Sequence, residues 1–336
     1  MIIQLDQNLE DTYKQSIISK VKAEGSSVTE VTTQAGAYLV CISKSKTDIR
    51  RIGSLPGVTD VHIVSESYKL VSRKWKVRQS TVEVGNQVIG GKDFAVMAGP
   101  CAIESQAQVW SIAKHLVANK VGIMRGGIFK PRSSPYSFQG LGMEGLELFH
   151  RISKDFGLSI ISEVMEVDQI EQMHDYVDVF QVGARNSQNF NLLHALGKVD
   201  KPVLLKRGVS GSIEELLQSA EYIFSSGNEK LILCERGIRT FENASRNTFD
   251  INAIPILKEK SHLPVIADPS HGIGIREHVS SIALAAMIAG ADGVIYEVHE
   301  RPEEALSDGQ QTLNFAESTA LLEKINQLKA VAGWQP

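Results

Sequence analysis

The chain has 336 residues, 43% hydrophobic and 22% charged, with a formal net charge of -4 at pH 7. That is enough apolar material for one large core or two unequal ones, and the charge balance gives no general reason to expect nucleic acid or a membrane surface as partner. No apolar run approaches the roughly 18 residues needed to span a bilayer, the opening MIIQLDQNLED has acids where a secretion signal needs bases, and three scattered cysteines, Cys41, Cys101 and Cys234, suit a reducing cytoplasm rather than a disulfide framework.

Residues 1–66 read as a small unit of their own. Ile2-Ile3-Gln4-Leu5 is a short strand. Asn8 is placed to cap a helix from Leu9 to about Ala23, with Tyr13, Ile17 and Val21 on one face and Gly25 ending it. Val28–Thr32 and Ala37–Ser43 are strands, Asp48–Gly53 is a short helix, and Val58–Val64 is a further strand. The order βαββαβ is a ferredoxin-like pattern. A unit this small buries little by itself and is expected to dock. It holds no cluster of chemically useful groups.

Residues 67–80 read as a linker with some helical character. Its bases, Lys69, Arg73, Lys74, Lys76 and Arg78, suggest a solvated face. Thr81–Ile89 reads as a hairpin turning at Gly85-Asn86. From there to the C terminus, residues 81–336, short apolar runs alternate with amphipathic helical segments. Strand candidates begin at Phe94, Val121, Leu158, Val177, Pro202, Leu231, Leu263 and Gly293. Helical segments begin near Gln106, Met143, Asp168, Ser187, Ser212, Asn252, Ile275 and Thr312. Eight β/α units over about 240 residues predict a closed (β/α)₈ barrel. No glycine fingerprint follows the first strand, which argues against a dinucleotide fold.

In such barrels the chemistry lies at the C-terminal ends of the strands, and here all eight ends carry ionisable groups. The longest polar stretch is Arg125–Gly142, RGGIFKPRSSPYSFQGLG. A loop of this length in a compact domain is functional or disordered. Its aromatics, glycines and prolines favour function. Six cations fall at the mouth: Arg125, Lys130, Arg132, Arg185, Lys206 and Arg236. Left empty, they would repel one another, so they imply a substrate, or a pair, with several negative charges, such as phosphates and a carboxylate. A second set, Cys101, His271, Glu297 and Asp308, combines thiol, imidazole and two carboxylates as a site for a divalent metal. Cys234 and His299 are rivals for those ligand positions.

Taken together, AGPCAIES, the Arg125–Gly142 loop, QVGARNSQNF, VLLKRG, LCERGIRTFE, DPSHG and EVHERPEEALSDG resemble the 3-deoxy-D-arabino-heptulosonate 7-phosphate (DAHP) synthases. The N-terminal unit looks like the ferredoxin-like regulatory extension of the type I beta subclass. The resemblance implies a metal-dependent transferase that condenses phosphoenolpyruvate with erythrose 4-phosphate. By the same resemblance, Cys101, His271, Glu297 and Asp308 are metal ligands. The metal is manganese, with iron, cobalt or zinc admitted by the ligand type. Arg185, Arg236 and the Ala184 N–H clamp the phosphoryl group of phosphoenolpyruvate. Arg125, Lys130 and Lys206 sit near its carboxylate, Lys130 also reaching the aldehyde. Arg132 and Ser133 hold the aldose phosphate, and Glu163 orients the attacking water. The resemblance further implies a homotetramer and feedback by tyrosine or phenylalanine bound to the N-terminal unit, which would obstruct the barrel mouth. Two alternatives remain. One is the sister enzyme that uses arabinose 5-phosphate to make 3-deoxy-D-manno-octulosonate 8-phosphate, against which Pro131-Arg132 argues. The other is a non-catalytic barrel that senses an aromatic amino acid.

Overall fold

The computed structural model describes residues 1–43, 48–130 and 134–332. At the N terminus, strand β1 (Ile2–Leu5), helix α1 (Asp11–Ala23), strands β2 (Ser26–Thr32) and β3 (Ala37–Ser43), helix α2 (Ile49–Gly53) and strand β4 (Val58–His62) follow in order. The strands form one antiparallel sheet in the order β2-β3-β1-β4. The period of two along each strand sorts the side chains onto two faces. Ile3, Leu5, Leu39 and Cys41 lie under the helices with Ile17, Ile18 and Val21. Ile2, Val31 and Tyr38 point the other way and join the core of the rest of the chain. Asn8 does not cap α1. Its backbone N–H instead donates to Asp6, and the helix begins two residues later than expected, after Glu10, without a side-chain cap.

Residues 65–80 contain no helix, contrary to expectation. They run in turns with Tyr68, Leu70, Val71 and Trp75 buried. Burying side chains of this size contributes about 1.5–3 kcal/mol each, which offsets the loss of regular hydrogen bonding. Trp75 meets Tyr38 from the N-terminal sheet at 5.3 Å and Phe224 and His262 from the barrel at 6.5 and 5.8 Å between ring centroids. The Glu221 carboxylate accepts from the Leu70 and Val71 N–H groups. The basic run is therefore only partly solvated: Arg73 donates to the Val77 and Lys258 carbonyls. The segment acts as an adhesive layer between the sheet and the barrel.

Strands β5 (Val82–Val84) and β6 (Gln87–Ile89) pair antiparallel as the expected hairpin. Eight parallel strands then close a barrel: β7 (Ala95–Gly99), β8 (Ile123–Arg125), β9 (Ser159–Glu163), β10 (Val179–Val182), β11 (Val203–Lys206), β12 (Leu231–Glu235), β13 (Val265–Ala267) and β14 (Gly293–Glu297). Closure is made by β14 on β7, with Glu297 opposite Gly99. Helices α3 (Gln106–Ala118), α4 (Gly142–Asp155), α5 (Val167–His174), α6 (Phe190–Leu196), α7 (Ile213–Ser225), α8 (Ala253–Lys260), α10 (Arg276–Ile288) and α11 (Phe315–Ala332) form the outer layer, and a short helical turn, α9 (Pro269–Ile273), follows β13. Their starts follow local chemistry. Ser212 and Glu215 make a reciprocal capping box on α7, and Ser105 caps α3.

The hairpin closes the N-terminal end of the barrel. Val82, Val84 and Ile89 pack with the inward residues Met97, Ile123, Ile161, Leu204, Ile232 and Ile295. The outward residues of the same strands, such as Met124, Phe180, Leu205, Leu233 and Tyr296, pack under the helices. The N-terminal sheet meets the segments just before β11 and β12: Gln34 donates to the Val199 carbonyl, and Tyr38 donates to Glu229. That is the end of the barrel opposite its mouth. The unit therefore does not cover the mouth of its own barrel.

Candidate active site

The barrel's period of two positions the site. Above the inward apolar layer of Ile123, Ile161, Leu204 and Ile295, the next inward positions on the same strands are Arg125, Glu163, Lys206 and Glu297. Residues two apart on a strand share a face, so the apolar floor and the charged ceiling are two layers of one interior. Two glycines make room. A Cβ on Gly99 would collide with the Arg125 carbonyl, and one on Gly183 would collide with the Glu163 carboxylate.

Above this layer lies a cavity of about 440 Å³. Its cationic lining among the described residues is Arg125, Lys130, Arg185, Lys206, Arg236, Arg239 and Arg246, against the carboxylates Glu163 and Asp308. Some of these charges are held by neighbours. Arg125 donates to Glu297 at 3.0 Å and to the Pro100 carbonyl at 2.8 Å. Lys206 donates to Asp268 at 2.5 Å. Lys130 donates to the Cys101 carbonyl at 3.0 Å and approaches its Sγ at 3.1 Å. Arg185 and Arg236 are different, for they meet no carboxylate among the described residues. Arg236 is 5% exposed and, among the described residues, donates only to the neighbouring Gly237 carbonyl, at 3.2 Å. Burial holds its guanidinium below the ordinary arginine value, against the pull of Asp268. A buried cation without a counter-charge is costly, and an anionic ligand is what relieves that cost. Glu235, next to Arg236 in the chain, is taken by Arg207 at 2.9 Å.

At the edge of the cavity Cys101, Glu297 and Asp308 bring one ligand atom each within 4.8 Å of the others. His271 Nε2 faces them, 3.4 Å from Glu297 Oε1 and 3.8 Å from Asp308 Oδ2. The four residues expected to act together therefore meet, because β13, β14 and β7 are adjacent in the closed barrel. Asp268 sets the imidazole. Its Oδ2 accepts from His271 Nδ1 at 2.8 Å, and its Oδ1 accepts the His271 backbone N–H. This directs the Nε2 lone pair toward the cluster, the arrangement typical of a metal-bound histidine. Burial raises the Asp268 carboxyl, but His271 and Lys206 outweigh it and hold it well below its ordinary range. Burial pushes the Cys101 thiol up to about 12, and Glu297 adds to the effect while Lys130 opposes it. A divalent cation would reverse that balance. The donor set and the oriented imidazole fit such an ion. Asp308 sits at φ 53, a left-handed backbone that aspartate tolerates better than most residues, and this turn brings its side chain back over the mouth.

Neither rival ligand joins this cluster. Cys234 lies in the apolar interior layer beside Ile232. His299 Nδ1 accepts from the Arg301 N–H, and its Nε2 faces Glu104 at 3.8 Å. Arg132 and Ser133 lie outside the described residues. Sequence reasoning passed over Arg239, Arg246 and the bridging role of Asp268. Asp268 stood in a strand-end run, so position alone marked it, but only its contacts give it a task.

The DAHP synthetase I family model matches residues 74–332. A phospho-2-dehydro-3-deoxyheptonate aldolase of Thermotoga maritima is 47% identical over 280 residues, covering 83% of each chain. A 2-dehydro-3-deoxyphosphooctonate aldolase of a Geobacter species is 33% identical over 267 residues, covering 74% of this chain and 96% of its own. The crystal structure of a Thermotoga maritima DAHP synthase matches with a TM-score of 0.80 at 40% identity, over 99% of this chain and 98% of that one. A truncated form of the Thermotoga enzyme matches with a TM-score of 0.75 at 43% identity, over 80% of this chain and 99% of that one. With the barrel, the cationic cavity and the Cys-His-Glu-Asp cluster in place, the chain belongs to the DAHP synthetase I family.

Proposed function

We propose that the chain joins phosphoenolpyruvate to D-erythrose 4-phosphate, giving DAHP and inorganic phosphate, the first step of the shikimate route to aromatic amino acids. The observation that carries this reading is the cavity in which Arg185 and Arg236 meet no carboxylate among the described residues, beside the Cys101, Glu297 and Asp308 group that His271 faces. In this reading Arg185, Arg236 and the Ala184 N–H take the phosphoryl group of phosphoenolpyruvate by charge-assisted hydrogen bonds. Lys206, Arg125 and Lys130 neutralise its carboxylate, and Lys130 also reaches the aldehyde. Arg132 and Ser133 are assigned to the aldose phosphate. Carbon 3 of phosphoenolpyruvate attacks the aldehyde carbon and forms the new C–C bond. Water, oriented by Glu163, adds at carbon 2, and phosphate then leaves with its bridging oxygen as that C–O bond breaks. A divalent ion held by Cys101, His271, Glu297 and Asp308, manganese first with iron, cobalt or zinc as alternatives, supplies Lewis acidity at the aldehyde oxygen.

The domain reading goes with this: 1–66 as a regulatory unit, 67–80 as a connector and 81–336 as the catalytic barrel of a cytoplasmic homotetramer. Among the described residues no helix is long and apolar enough to cross a membrane. Feedback by tyrosine or phenylalanine through residues 1–66 would act through the barrel wall or on a neighbouring copy, since the unit sits at the far end of its own barrel.

The assay is phosphate release from phosphoenolpyruvate with erythrose 4-phosphate, and separately with arabinose 5-phosphate, each with manganese and with EDTA. Turnover with the four-carbon aldose only, abolished by EDTA, is expected. Turnover with arabinose 5-phosphate would transfer the assignment to the octulosonate branch. No turnover with either by metal-replete protein would leave a sensor barrel.

A further inference from the structure

Asp308 and Glu297 each present one carboxylate oxygen inward, toward the cluster, and one outward. The inward atoms are Asp308 Oδ2, 3.4 Å from Cys101 Sγ, and Glu297 Oε1, 3.4 Å from His271 Nε2. Glu297 Oε1 also accepts from Arg125 at 3.0 Å and keeps a second lone pair. The outward atoms are held by one pair of side chains. Gln311 Nε2 donates to Glu297 Oε2 at 2.8 Å. Arg246 Nη1 lies 3.4 Å from Asp308 Oδ1 and donates to Gln311 Oε1 at 2.6 Å.

The Gln311 amide has one workable orientation here. A carboxylate only accepts and a guanidinium only donates, so the NH₂ must face Glu297 and the carbonyl must face Arg246. Gln311 is 2% exposed, so bulk solvent has little access to its amide. Arg246 is itself anchored. Its backbone N–H donates to the Ile273 carbonyl at 3.1 Å, and Gly274, at φ 71, leaves the room its side chain fills.

We propose that Gln311, with Arg246, is a positioning residue for the metal centre. The pair occupies the outer oxygens of Glu297 and Asp308, so each carboxylate offers the ion a single inward oxygen in a fixed direction. Outer-sphere partners of this kind set ligand orientation and metal affinity. Arg246 also lines the substrate cavity, so the same pair joins the ligand geometry to the wall of that cavity. The inference rests on the reading of Cys101, His271, Glu297 and Asp308 as a metal centre.

The test uses the full chain, stripped of metal by a chelator and titrated with cobalt(II). The readouts are the dissociation constant, the thiolate-to-cobalt absorption band and the melting temperature of the stripped protein. Gln311→Met keeps the shape of the side chain and removes both hydrogen bonds. It is expected to weaken cobalt binding about 10- to 100-fold and shift the ligand-field bands, with the KM for phosphoenolpyruvate at saturating metal unchanged. Cys101→Ala in parallel is expected to abolish the charge-transfer band. An unchanged affinity and spectrum in Gln311→Met, with Cys101→Ala defective, would overturn the positioning role and leave the centre standing. Unchanged binding in Cys101→Ala would remove the centre and the inference with it. If Gln311→Met does not fold, Arg246→Leu, at a side chain 39% exposed, tests the other half of the pair. Affinity weakened about tenfold would support the role, and affinity equal to wild type would overturn it.

Discussion

Lys206 and Arg207 are adjacent in the chain and do unrelated work. Lys206, at an inward position of β11, points into the cavity and pairs with Asp268. Arg207 turns outward and is consumed by Glu235, Asp250 and the Gly211 carbonyl. The distinction follows from the strand's alternation rather than from residue type. Gly183 shows the same logic from the side of space. Its missing side chain is where the Glu163 carboxylate lies. Gly183→Ala is expected to displace Glu163 and lower kcat/KM about 100-fold, the order of loss that a misplacement near 1 Å brings, with little change in melting temperature. Steady-state kinetics beside a thermal melt check this, and an unimpaired enzyme would refute the role given to that carboxylate.

At the scale of elements, the connector 65–80 depends on a neutral histidine. His262 Nε2 donates to the Leu70 carbonyl at 2.8 Å, and its Nδ1 bonds the Ser80 hydroxyl at 2.9 Å. Burial depresses the imidazole to about 3, Lys76 and Arg73 push the same way, and the Leu70 carbonyl opposes them. The unfolded chain takes up this proton near pH 6.5, but the folded chain resists it. The stability carried by neutral His262 is therefore complete above about pH 6.5 and drains away as the pH falls toward 3. Between pH 7.5 and 5, wild-type stability is expected to fall by about 2 kcal/mol more than that of His262→Gln. Urea unfolding followed by tryptophan fluorescence measures the difference, and parallel pH profiles would contradict it.

At the scale of the molecule, the N-terminal sheet and the barrel share one apolar core, since Ile2, Val31 and Tyr38 pack in the same cluster as Trp75 and Phe224. Deleting residues 1–66 removes one side of that contact but none of the site. The truncated protein is expected to keep its kcat, to melt several degrees lower and to lose any inhibition by tyrosine or phenylalanine. Inhibition that survives the deletion would exclude this unit as the control element.

Much of this was legible in the chain. Eight alternations of apolar strand and amphipathic helix specify the barrel, because each pattern is a local consequence of side-chain period. The ends of those strands named Arg125, Glu163, Lys206, Arg236, His271 and Glu297 for the mouth, because closure of a parallel barrel brings all such ends to one rim. Other features were not legible. The N-cap of α1 shifted because an Asx turn at Asp6 competes locally for Asn8. The connector's burial depends on Trp75 meeting residues from two distant segments. Arg246 and Gln311 lie 65 positions apart and at no strand end, so only the folded chain sets them on the outer oxygens of two carboxylates. The sequence by itself determined which elements form and which residues reach the mouth, since both follow from short-range periodicity. The tertiary structure alone decided which cations are neutralised, which meet no carboxylate among the described residues and which way each side chain of the cluster points, since those depend on burial and on partners remote in the chain.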